Sequence, residues 1–230
     1  MPTEDHELCG GADFCYEIAG SRDVTFQRIY EGFPPSRRIF TTHLFVIIAD
    51  LAPLTLGHIL VLPKRHYLSF AQVVVEHKFA LREAIQWLLP RYLDTFGSPV
   101  ILEHGSARDN DHNACITHAH WHIFPLDGRV VEEAMQADGL TRVTVPDLLH
   151  LGESPWTDMP YFFSWHSSHL SLYEPLEVMP RQYVRSVIGR LLGMQDPEWD
   201  YTVFVRREIL QRTMAMTRGW TETSSGLQRG

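Results

Sequence analysis

Lysine is nearly missing from this chain: of 20 basic residues in 230, only Lys64 and Lys78 are lysines, and no run of Lys and Arg exceeds a pair. With 28 acidic residues the net charge is −8, so there is no long basic face for a polyphosphate backbone, and a nucleic-acid partner is not expected. Cysteine is scarce. Cys9, Cys15 and Cys115 are too few for a disulfide scaffold and suit a reducing compartment. Long apolar runs are absent too; stretches such as residues 44–49 fall far short of a bilayer span, so no membrane partner is expected. The acidic, polar first residues, MPTEDHELCGGADF, lack the charge and apolar stretch of a secretory signal, which sets the expectation of a cytoplasmic protein.

What remains is ordinary for a globular chain, with 44% hydrophobic and 21% charged residues. A mass of 26.5 kDa is enough to bury a core without metal or disulfide staples. Histidine is the exception: 13 in all, five of them between His104 and His122.

Along the chain, residues 1–20 read as a loop leading into a short element at 14–18. Residues 38–48 are β-branched and aromatic, which predicts one or two strands; 57–62 predicts another, closed by Pro63. The apolar spacing of 68–96 predicts a long helix that Pro90 kinks or ends. Residues 99–103 and 114–124 read as strands, 130–137 as a short helix, 140–145 and 161–165 as strands, and 179–192 as a helix with Pro180 near its start. Strands, a long helix, more strands and a looser C-terminal part predict an α+β fold. The expected division is a core over 1–126, an extension packed on it over 127–216, and a mobile tail over 217–230.

In a strand, alternate residues share a face. Residues 114–124 as a strand would therefore line up His118, His120 and His122 on one side at intervals of about 6.7 Å, with Thr117, Ala119, Trp121 and Ile123 on the other. Two unit charges about 7 Å apart at an effective dielectric near 20 repel by roughly 2.4 kcal/mol, nearly two pKa units. Such a row resists full protonation and keeps at least one imidazole neutral. A neutral imidazole is a nucleophile, and a charged neighbour can hold a phosphate oxygen or protonate a leaving group. The competing chemistry is a metal held by histidines at i and i+2. Such sites usually take an acidic ligand shortly downstream, and here Ile123, Phe124, Pro125 and Leu126 intervene before Asp127.

The run His118-Ala-His120-Trp-His122-Ile-Phe124 resembles the signature of the histidine triad (HIT) superfamily. Residues 45–66, FVIIADLAPLTLGHILVLPKRH, resemble its nucleotide-binding half, and Phe14-Cys15-Tyr16-Glu17-Ile18 its short Phe-Cys start. The resemblance spans roughly 14–125, in the family's order. It implies a HIT-like α+β fold with an antiparallel sheet of about five strands and a long packed helix, a homodimer, a nucleotide substrate, and attack on the α-phosphorus. By position, His120 would be the nucleophile forming a covalent nucleotidyl-histidine. His118 would orient the triad, His122 would contact phosphate oxygens, and His58 would support the row from the neighbouring strand. Asp50 would accept the ribose hydroxyls, with Ile48 and Leu51 against the base. Apart from the resemblance, Lys64 after the Gly-His strand either meets phosphate or lies in a solvated turn.

Two positions depart from the family. Glu103-His104-Gly105 stands where many hydrolases have Asn-x-Gly, and Asn113-Ala114-Cys115 where they have Gly-Gln-Ser/Thr. Glu103 and Cys115 would thus sit at the phosphate and leaving-group side with altered chemistry, and Glu103, repulsive to a polyphosphate unless it pairs with a basic group, favours a cationic or amine leaving group. The retained His122 leans toward hydrolysis, because the uridylyltransferase branch has Gln there. The expected function is a nucleotide hydrolase or nucleotidyl transferase acting on phosphoramidates or phosphoanhydrides. The alternatives are a nucleotide-binding protein with little turnover and a metal-dependent enzyme on the histidine row. No cofactor is expected. A structural zinc through Cys9 and Cys15, with His43 as a further ligand, is set aside because C-x5-C is not the C-x2-C some relatives use, leaving these cysteines as free thiols.

Overall fold

The β-branched runs fold into strands of one antiparallel sheet in the computed structural model, which describes residues 12–107 and 118–220. The strands are β1 (Arg38–Thr41), β2 (Phe45–Ala49), β3 (Ile59–Pro63), β4 (Val100–Gly105), β5 (Trp121–Phe124), β6 (Arg142–Val145), β7 (Tyr161–His166) and β8 (His169–Tyr173). Their order is β1-β2-β3-β5-β4-β7-β8-β6. The helices are α1 (Asp13–Ile18), α2 (Thr25–Tyr30), α3 (Phe70–Phe96), α4 (Gly128–Ala137), α5 (Tyr183–Leu191) and α6 (Arg207–Met216).

Strand alternation splits the apolar residues into two faces. Ile47, Val61, Ile101, Trp121, Ile123 and Phe163 pack with α2, α3 and α6. The opposite face is covered in two pieces. Val46, Ile48, Leu60 and Leu62 meet Phe14 of α1, while Val100, Leu102, Phe124, Phe162 and Tyr173 meet α4 and α5. The histidines lie on this second face.

The α+β class and the antiparallel sheet are as expected, but among the described residues the sheet has eight strands rather than about five. The added ones come from residues beyond 126: β7 pairs with β4, β8 with β7, and β6 with β8, so the C-terminal part extends the core's own sheet. β8, α2 and α6 lie in segments for which no element was expected. The expected strand at 114–124 is β only over Trp121–Phe124; His118 and His120 precede it, and 114–117 lie outside the described residues. Helix α3 leaves helical geometry at His77 (φ −132°, ψ 28°), and Pro90 neither ends nor breaks it. The start of the expected mobile tail is docked: Thr217 and Trp220 are buried, and the Trp220 indole donates to Thr95 Oγ1 at 3.0 Å. Residues 221–230 lie outside the described residues.

The N-terminus of α3 has no cap from its own Ser69. Glu103, wholly buried, supplies one from β4: its Oε1 accepts from Phe70 N at 2.7 Å, and its Oε2 from Tyr161 Oη at 2.7 Å and Trp121 Nε1 at 3.2 Å. A carboxylate is well placed there, where free N–H groups and the helix dipole favour negative charge. The expectation that Glu103 faces a phosphate is therefore corrected, since strand alternation turns it to the α3 side.

Burial pushes the Glu103 carboxyl up to about 7, against the three hydrogen bonds that pull it down. The folded value lies above the ordinary 4.5, so the stability linked to its protonation is complete below that value and is lost as pH rises through about 7. Glu103→Ala should cost about 2–4 kcal/mol in urea unfolding, since three donors lose their acceptor. The variant should also lack this part of the pH slope. A full-stability variant would show that the cap is not needed.

Candidate active site

The site is built around the turn that launches β3. Gly57 has φ +83°, and a Cβ there would fall 2.7 Å from the Phe96 ring, so glycine is required on both counts. Its N–H donates to Thr213 Oγ1 of α6 at 3.1 Å, and its carbonyl accepts from Tyr92 Oη of α3 at 2.8 Å. The next residue, His58, is fully buried and turned to the other face. There its ring lies 5.2 Å from that of His122, which in turn lies 4.8 Å from that of His120.

Hydrogen bonds fix which nitrogens carry protons. Leu54 N–H donates to His58 Nδ1 at 3.2 Å, so neutral His58 bears its hydrogen on Nε2. That nitrogen is 2.9 Å from His122 Nδ1, which must accept, leaving the His122 hydrogen on Nε2. His120 Nδ1 is 2.8 Å from the His118 carbonyl and can only donate to it, so its Nε2 keeps a lone pair. His118 Nε2 donates to the Pro63 carbonyl at 2.8 Å. Two adjacent rings therefore differ in chemistry: His120 offers a lone pair and His122 an N–H.

Burial keeps this row neutral. It holds His58 and His118 down to about 3, with Asp50 opposing it at His58, and lowers His120 and His122 as well. His104 was not assigned a role from the sequence, although alternation in β4 puts it on the face opposite Glu103. It packs on Phe162 with ring centroids 4.6 Å apart, and burial, with repulsion from His120 whenever that ring is protonated, lowers it to about 4.

Beneath the row lies Asp50. It is 5% exposed, its Oδ1 accepts from Ala52 N at 2.8 Å and from Arg185 Nη1 at 2.9 Å, and its Oδ2 lies 3.7 Å from His58 Nε2. The carboxylate expected to face a sugar thus faces the interior. Arg185 carried no local signal, because it stands 135 residues away in the chain. Buried Arg37, between Glu17 (Nη2–Oε2 2.6 Å) and the Ala49 carbonyl, ties α1 to the end of β2. α1 contributes Phe14, whose ring is 5.4 Å from His120 and 6.1 Å from His118.

Of the remaining expected residues, Ile48 is buried under α1 on the histidine face, whereas Leu51 joins the α3-side core. Half-buried Lys64 follows β3, and burial together with nearby Arg38 lowers its pKa. Cys115 lies outside the described residues, as does Cys9.

Among the described residues, two groups have the donors to hold a metal. Cys15 Sγ is 3.1 Å from His118 Nδ1 and 3.4 Å from His66 Nδ1. Cys15 is disulfide-bonded in this structure, which departs from the free-thiol expectation. His43 is exposed and does not join this group. The second group is Asp50, His58 and His122. Here the Arg185 guanidinium already neutralises the carboxylate, and the two imidazoles face each other as donor and acceptor, so the donors fit a hydrogen-bonded relay and not a cation cage.

No protein-family model matches the chain, and no curated protein matches it. Similar solved structures carry the family name that the sequence resemblance suggested. A HIT-like protein involved in cell-cycle regulation from Bartonella henselae is 14% identical over 87% of this chain and 98% of its own, with a TM-score of 0.40. A hypothetical histidine triad nucleotide-binding protein from Sulfolobus tokodaii is 15% identical over 90% and 99%, with a TM-score of 0.37. A zinc-bound histidine triad family protein from Mycobacterium smegmatis is 24% identical over 47% and 78%, with a TM-score of 0.33. At these values the likenesses add no weight to the side-chain geometry, on which the functional reading rests.

Imidazoles held below the ordinary 6.5 bind fewer protons folded than unfolded. The stability they contribute is complete above about pH 6.5 and is lost as pH falls toward about 3. Thermal unfolding between pH 7.5 and 4 should show Tm falling with acidification, less steeply in His104→Gln. Equal slopes in the two proteins would mean that His104 is not held neutral.

Proposed function

We propose that this chain is a nucleotide hydrolase or nucleotidyl transferase that works at the α-phosphorus through a covalent intermediate on His120. The observation that supports it best is the tautomer pattern: His120 is tied at Nδ1 with a lone pair on Nε2, beside His122 with a hydrogen on Nε2. Nucleophilic catalysis needs a neutral attacker, and the developing charge on phosphate oxygens needs a donor fixed in advance. The neighbours of both rings supply these without a metal ligand set.

In this reading the His120 Nε2 lone pair forms a bond to phosphorus. The bond from phosphorus to the leaving nitrogen or oxygen breaks with its electron pair, and the leaving group takes up a proton from solvent. His122 Nε2–H donates to a non-bridging oxygen. Water, or another acceptor in a transferase, then attacks phosphorus; its proton goes to solvent, and the N–P electron pair returns to His120. His118 holds the His120 ring through its carbonyl. The favoured substrates are nucleoside phosphoramidates or phosphoanhydrides, with a purine base preferred. With Glu103 turned into the core, the leaving-group side has no carboxylate from that position, so the preference for an amine leaving group no longer follows from it. No helix among the described residues is long and apolar enough to cross a membrane. A homodimer, expected from the resemblance, and a cytoplasmic location, expected from the N-terminal residues and the scarce cysteines, belong to the same reading.

Intact-protein mass spectrometry after brief incubation with nucleotides, dinucleoside polyphosphates and phosphoramidates, quenched cold without acid, tests it. The wild type should gain the mass of one nucleotidyl group, and His120→Ala should gain nothing. Turnover by His120→Ala at the wild-type rate would sink the mechanism. Tight nucleotide binding without adduct or product would mean a binding protein.

A further inference from the structure

The proposed chemistry uses His120 and His122 but leaves unexplained why a fully engaged arginine from the distant α5 is buried beside His58, the ring that donates to His122. Every nitrogen of the Arg185 guanidinium has a partner. Nη1 donates to Asp50 Oδ1 at 2.9 Å, Nη2 to the Ala52 carbonyl at 2.6 Å, and Nε to the Trp199 carbonyl at 3.0 Å. Two of these contacts are to the loop between β2 and β3. The same short loop carries Asp50, whose Oδ2 lies 3.7 Å from His58 Nε2, and Leu54, whose N–H occupies His58 Nδ1. The loop thus sets both nitrogens of His58, and His58 sets His122. A fixed fork that binds a carboxylate and a carbonyl together is a task for arginine, not lysine.

Resting on the nucleotidyl reading, we infer that Arg185 is a positioning residue of the histidine site: it clamps the Asp50–Leu54 loop so that His58 donates to His122 and His122 presents its N–H outward. Asp50 then serves the histidines rather than a ribose. The carboxylate lies beside His58 Nε2–H, favouring the hydrogen on that nitrogen, and Arg185 keeps it ionised there without drawing a proton onto the imidazoles. The charged and titratable groups facing the pair are Asp50 from the β2–β3 loop, His120 from the segment before β5, and Arg185 from α5; Arg37 reaches Asp50 and His120. The Arg185 cation disfavours protonation of both rings, so its removal should move their titration to higher pH.

The test compares wild type, Arg185→Lys, Arg185→Met and the neutral pair Asp50→Asn with Arg185→Met, the last included because an unpaired buried carboxylate can unfold the chain. Long-range proton–nitrogen NMR of the ligand-free proteins at pH 5–8 reads the His58 and His122 tautomers without any substrate. The rate of adduct formation with adenosine 5′-phosphoramidate is measured alongside, together with Tm. Wild type should hold both rings as Nε2–H tautomers. Folded Arg185→Met or the neutral pair should show mixed tautomers and a rate lower by about tenfold or more, with half-saturation little changed. In Arg185→Met, which keeps the carboxylate, the acid limb should also move to higher pH. Arg185→Lys, which restores charge but not the fork, should recover the acid limb more than the rate. Unchanged tautomers and pH profile with only Tm reduced would overturn the inference and leave Arg185 a packing residue. If tautomers respond to Arg185 but wild type forms no adduct with this or any compound of the panel above, the nucleotidyl reading fails while the positioning role stands.

Discussion

Alternation along β5 sends Trp121 and Ile123 toward α3, and His122 and Phe124 to the opposite face of the sheet. That face is covered by α1 at one end and by α4 and α5 at the other, and the imidazoles occupy the strip between the two coverings. Neither cover supplies the charges that would keep the rings protonated. Each ring is instead held by a backbone carbonyl, a backbone N–H or another ring, which costs no buried ion. The sheet's geometry and the neutrality of the row are thus one constraint.

The two faces also divide the acidic residues by role. Glu103, on the α3 side, holds a helix start; Asp50, on the other side, is paired with a cation and stands next to His58. Both are buried carboxyl groups, yet their pKa values are driven apart. Glu103 has only neutral donors and is raised, whereas Asp50 has His58 and Arg185 beside it and is held well below the usual carboxylate range despite its burial.

Much of this was legible in the sequence where the signal is local. The runs at 38–48 and 57–62 became β1, β2 and β3, and the spacing of 68–96 became α3, because period and composition act within a few residues. The grouping of His58, His120 and His122 followed from two motifs in register. What was missed depends on distant partners. β8 is the exception, since it pairs with β7 directly before it in the chain, and only its other partner, β6, is more distant. Glu103 looked like a phosphate neighbour until its partners Tyr161 and Phe70 were in place, and nothing around Arg185 points to a residue 135 positions away. His104 could have been found by counting alternate positions along β4 from Leu102, which pairs with His122.

The separation of Arg185 from Asp50 also bears on how the chain reaches its native state. A contact that closes 135 residues carries a loop-closure entropy that the contact must offset. During synthesis the β2–β3 loop emerges long before α5 exists, so a nascent chain carries the Asp50 carboxylate with its cation still unmade. Water can solvate that carboxylate only while the face stays open. The buried ion pair beneath the histidine strip is therefore complete only once the C-terminal half has arrived.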